Sequence, residues 1–114
     1  MWEQTRPYVP PVRGGQVIKV YDGDTITIAT KLPGDDTLYR FPVRLAGVDC
    51  AEMHSGQEAI TARDAVAGLL MGKSVELQNV GTEKYGRILA DVYLGTLHVN
   101  TWLLENGYAM LYRP

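Results

Sequence analysis

Three short stretches carry side chains that could work on a phosphate. Residues 44–52, RLAGVDCAE, supply Arg44, Asp49 and Glu52 at the end of an apolar run. Residues 21–28, YDGDTITI, place Asp22 and Asp24 on either side of Gly23, and residues 83–93, EKYGRILADVY, add Lys84, Tyr85 and Arg87. Carboxylates that converge with nothing positive between them repel, so a shared site of this kind calls for a hard cation such as Ca²⁺ or Mg²⁺. Arginines beside such a cation point to a phosphate as the third party. Geometry sets a condition on this. Arg44 and Asp49 are an odd number of positions apart, and in an unbroken strand they would face opposite ways. They converge only if the backbone breaks its alternation near Gly47, where glycine permits a bend that a branched residue resists.

Taken singly, each motif has a plainer reading. Asp22-Gly23-Asp24 is a hairpin turn, Glu52 is a solvated glutamate ahead of a helix, and a strand arginine is an exposed cross-strand partner. Together and in order they say more. V-x-D-G-D-T in VYDGDT, R-L-x-G-V-D-x-x-E in RLAGVDCAE and K-Y-G-R in KYGR resemble the staphylococcal nuclease-like (thermonuclease) domain, over about residues 17–112.

What the resemblance implies is specific. One Ca²⁺ would be held by Asp24, Asp49 and the backbone carbonyl of Cys50. Glu52 would orient or deprotonate water, and Arg44 and Arg87 would stabilise charge on the scissile phosphate. Lys84 and Tyr85 would grip a terminal phosphate, and Tyr112, with Tyr108 as a second candidate, would stack on a base or belong to the core. Asp22 is expected to serve the turn. The implied activity is calcium-dependent hydrolysis of single-stranded or frayed DNA, and of RNA, to products with 3′-phosphates. The rival reading is a non-catalytic barrel module that binds nucleic acid or protein around a residual site. Cys50-Ala51 stands where relatives carry a proline before the glutamate, a departure that removes rigidity from the loop.

Composition bounds these readings. The 114 residues carry a net charge of −2, so attraction to phosphate must be local. Cys50 is the one cysteine, which excludes an intrachain disulfide and a Cys/His zinc cluster. No histidine is placed by motif to activate its thiol, and His54 reads as a surface residue. No stretch reaches the roughly 18 apolar residues of a membrane span. A monomer without membrane contact is expected; the lack of a leader pattern in residues 1–15 favours the cytoplasm, with a secreted mature form as the alternative.

The elements that must position these residues follow from periodicity. Residues 1–15 hold three prolines and end in a glycine pair, and read as an arm onto which Trp2 and Tyr8 could pack; residues 16–114 form the domain. Alternation predicts a hairpin over residues 16–30 and a third strand over LYRFPVRLAGV, with Pro42 at an edge or bulge. A helix is expected over residues 55–72, opened by a Ser55/Glu58 capping box and facing inward through Ala59, Ala62, Val66, Leu69 and Leu70. SVELQNV and RILADVYL supply two more strands, His98 falls in a strand, residues 100–106 form a short helix, and YAMLYR ends extended. The order fits an α+β fold, a five-stranded Greek-key OB barrel with one long and one short helix.

Overall fold

A computed structural model describes residues 1–51 and 56–112. Glu52, His54 and Ser55 of the expected capping box therefore lie outside the described residues. Among those described, no helix is long and apolar enough to cross a membrane.

Strand β1 (Gly14–Asp22) turns through Gly23 and Asp24 into β2 (Thr25–Lys31), and β3 (Leu38–Leu45) completes an antiparallel meander. Strand β4 (Val48–Cys50) is short. Helix α1 (Gln57–Leu70) then leads to β5 (Ser74–Thr82) and β6 (Ile88–Leu94), followed by β7 (Leu97–His98), helix α2 (Val99–Glu105) and β8 (Ala109–Leu111). The main sheet runs β3-β2-β1-β5-β6-β7, and a parallel pairing of Val43–Leu45 with Ile88–Ala90 joins β3 to β6. That pairing closes five strands into a barrel. Pro42 precedes it by one residue, so its missing N–H falls where β3 still has a free edge, as the sequence predicts.

The barrel interior is filled by alternate residues of each strand: Ile26 and Ile28, Val43 and Leu45, Val75 and Leu77, and Ile88, Ala90 and Val92. In β1 the buried pair is Val17 and Val20, three apart, because the register slips between Val17 and Lys19 and again between Val20 and Asp22. Helix α1 lies against β1 and buries Ala59, Ala62, Val66 and Leu70, with Leu69 partly covered. Helix α2 contributes Val99 and Leu103 to the same core.

Two regions differ from the sequence reading. The glycine pair at 14 and 15 belongs to β1, where both residues pair with β5, and Val12 ahead of it is buried. Trp2 and Tyr8 stay exposed, so the terminal segment is tied to the barrel through Val12 and through Arg13, whose carbonyl accepts from Leu77 N–H, and not through its aromatics. The LYRFPVRLAGV run is also two strands, not one. The chain turns at Ala46-Gly47, and β4 leaves the barrel to pair with β8 in a separate two-stranded ribbon.

Candidate active site

The turn at Gly47 meets the geometric condition set above. Gly47 has φ of 75°, a left-handed conformation that favours glycine. After it, Asp49 returns toward β3, and Arg44 Nη2 lies 3.3 Å from Asp49 Oδ1 and 3.5 Å from Asp24 Oδ2. The corner is pinned from several sides. Ala46 N–H donates to Ala90 O at 2.9 Å, and Tyr112 N–H donates to Gly47 O at 2.9 Å. Asn100, buried in the first turn of α2, donates from Nδ2 to Ala46 O and Ala90 O and accepts Val92 N–H at Oδ1. One side chain so ties α2, β6 and the β3–β4 corner together.

Asp24 is held as tightly. Its Oδ2 accepts Cys50 N–H at 2.8 Å and its Oδ1 accepts the Thr25 hydroxyl at 3.2 Å, while Leu45 N–H donates to its carbonyl. Gly23 makes this seat available. A Cβ there would stand 2.7 Å from Cys50 Sγ and 3.1 Å from Ala62 Cβ, so the turn could not press against β4 and α1 with any larger residue. Asp22 accepts Asp24 N–H at Oδ1, the turn role expected of it. Burial, followed by the hydrogen bonding and charge of Asp24, pushes the Asp22 carboxyl up to about 6. Carboxylates are crowded here with too little positive charge between them.

Arg87 enters from the turn between β5 and β6. Its guanidinium meets Glu83 Oε2 at 3.2 Å, and its backbone N–H donates to Glu83 Oε1 at 2.9 Å. The hydrogen bond from Arg87 holds the Glu83 carboxyl below its ordinary range and raises the guanidinium in return. Lys84 lies 5.1 Å from the Tyr85 ring, and Tyr85 is well exposed. Tyr112 places its ring 6.0 Å from the Arg44 guanidinium. Tyr108 instead packs on Trp102, with centroids 5.5 Å apart, and takes the core option left open for it.

Asp22, Asp24, Arg44, Asp49, Cys50, Lys84, Tyr85, Arg87 and Tyr112 all line one open cavity of about 620 Å³. Of the proposed functional side chains, Glu52 alone falls outside the described residues. The oxygen-rich donor set of Asp22, Asp24 and Asp49 suits a hard cation better than a soft one. Among the described residues, no three Asp, Glu, His or Cys side chains form a ready-made metal cage, and Asp24 and Asp49 share a guanidinium. Cys50 is buried, and burial, with Asp24 and Asp22 adding to it, pushes its thiol up to about 12. A thiol held protonated is no nucleophile.

The sequence reading missed Glu83 and Asn100. Glu83 stands four positions before Arg87 with opposite charge, a spacing that could have flagged it. Asn100 offers no such signal, because its partners lie in β6 and at Ala46.

The fold is a closed five-stranded OB-type barrel that gathers two arginines and three aspartates at one cavity. A sequence profile described as staphylococcal nuclease homologue matches residues 42–114, and the chain belongs to that family. It is 33% identical over 100 residues to a protein of Haemophilus influenzae named uncharacterized endonuclease, covering 86% of this chain and 52% of that protein. It is 30% identical over 99 residues to an Escherichia coli protein of the same name, covering 86% of this chain and 60% of the relative. A rice protein named probable staphylococcal-like nuclease CAN3 is 33% identical over 78 residues, which are 66% of this chain and 20% of that protein. The chain thus spans about half the length of the bacterial relatives.

Proposed function

We propose that the chain is a nuclease, a phosphodiesterase cutting single-stranded or frayed DNA, and RNA, with little sequence preference and leaving 3′-phosphates. The observation that carries the reading is the single cavity lined by Arg44, Arg87, Asp24 and Asp49. A phosphodiester placed there would meet both guanidiniums, which suit the charge that grows on phosphoryl oxygens as phosphorus becomes five-coordinate. Lys84 at the cavity wall would take a neighbouring phosphate, and the exposed rings of Tyr85 and Tyr112 would stack on bases. Glu52, two residues beyond buried Cys50, would orient the attacking water and accept its proton. Ca²⁺ on Asp24, Asp49 and the carbonyl of Cys50 would add electrostatic stabilisation of the phosphate and relieve the crowding felt by Asp22.

A second reading has its own support. Arg44 is already engaged by both aspartates, and the chain is net acidic, which suits a binding module with a residual site. Cleavage of denatured DNA by wild type and by Glu52→Gln, each with millimolar Ca²⁺ and with excess chelator, separates the two. Calcium-dependent cleavage lost in the variant supports the nuclease. Two inert proteins that both bind a nucleotide would leave the binding module.

A further inference from the structure

The turn that carries Arg87 is built around one carboxylate. Glu83 N–H donates to Arg87 O and Gly86 N–H donates to Glu83 O, both at 2.9 Å, closing the backbone of residues 83–87. The side chain then divides its two oxygens between two tasks. Oε1 accepts the backbone N–H of Tyr85 at 3.1 Å and that of Arg87 at 2.9 Å, while Oε2 takes the guanidinium at Nη2, 3.2 Å away. The carboxylate is largely covered, with its side chain 14% exposed. Arg87 Nε is buried and finds no hydrogen-bond acceptor among the described residues. A buried donor without an acceptor is unfavourable, so a guanidinium free to move would turn toward the nearest anion. Among the described residues, the other carboxylates lining this cavity are those of Asp22, Asp24 and Asp49, and the charges of Asp24 and Asp22 both act on the Arg87 guanidinium.

We propose that Glu83 is a positioning residue for Arg87: one oxygen folds the turn, and the other tethers the guanidinium at the cavity wall and away from Asp22 and Asp24. The proposal rests on the nuclease reading and refines it. Without the tether, Arg87 pairs with the aspartates and is withdrawn from the phosphate. With it, three N–H groups of the guanidinium, on Nη1 and Nε, remain outside the Glu83 contact.

Glu83→Gln isolates the tether, because the amide oxygen can still accept the two backbone N–H groups while the amide nitrogen cannot accept from Arg87. Two readouts follow. In ¹⁵N NMR of the metal-free protein, the Arg87 Nε–H signal should move and exchange faster in the variant, with the Val92 amide and Asn100 side-chain signals unchanged. On denatured DNA with Ca²⁺, kcat should fall about tenfold with KM within about threefold, and the same substitution should cost nothing further in an Arg87→Ala background. An equal loss in both backgrounds, or an unchanged Arg87 signal, would overturn the tether. Wild type that cuts nothing would remove the nuclease reading, and the Arg87 signal would still decide for or against the tether.

Discussion

Arg44 and Arg87 reach the same cavity from mountings of opposite kinds. Arg44 sits inside β3, bonded to partners on the β1–β2 turn and on β4, and its position depends on barrel closure and on the Ala46-Gly47 corner. Arg87 sits on a connecting turn, and its partner is four residues away in that turn. The first mounting is global, so the fold and the site fail together. The second is local and exchanges fold stability for independence: a partly exposed ion pair contributes little, and the barrel can persist without it. One guanidinium is thus part of the protein's structure and the other is an appendage aimed by its own turn.

Urea unfolding of four single variants separates the two mountings. Arg44→Ala leaves Asp24 buried without its cation, and should destabilise by about 3 kcal/mol, the scale found when one partner of a buried pair is removed. Millimolar Ca²⁺ should recover part of this loss and do less for wild type, since a cation between the aspartates replaces the missing charge. Asn100→Ala strands Val92 N–H and Ala46 O, and should cost about 2 kcal/mol. Its NMR spectrum should show Gly47 and Asp49 moved and Arg87 Nε in place. Gly47→Ala keeps every contact and strains only the backbone at φ of 75°, for about 1 kcal/mol. Arg87→Ala should cost under about 1 kcal/mol despite its effect on activity. A stability loss at Arg87 equal to that at Arg44 would erase the distinction.

The legible parts of this molecule are those whose cause lies within a few residues. The β1–β2 hairpin, the inward face of α1 and the edge position of Pro42 follow from alternation, helical spacing and a missing N–H. The break at Gly47 was legible too, because Arg44 and Asp49 could not otherwise meet. Convergence of three motifs on one cavity was readable only through their shared order, since no local pattern says that β3 closes on β6. The pairing of β4 with β8 was not readable, because it joins residues about sixty apart and neither strand exceeds three residues. Asn100 was hidden for a related reason. In sequence it is a polar residue at the start of a short helix, and its function lies in three backbone groups, two in β6 and one at the β3–β4 corner.

The proposed nuclease requires both arginines to serve one phosphodiester centre. That requirement is tested most directly by single-turnover cleavage of a defined single-stranded oligonucleotide with Ca²⁺, comparing wild type, Arg44→Ala, Arg87→Ala and the double variant. Each single substitution should slow cleavage by about 10²–10³-fold, and the double should be little slower than the worse single, as groups acting on one transition state behave. Wild-type rates in either single variant would contradict the account.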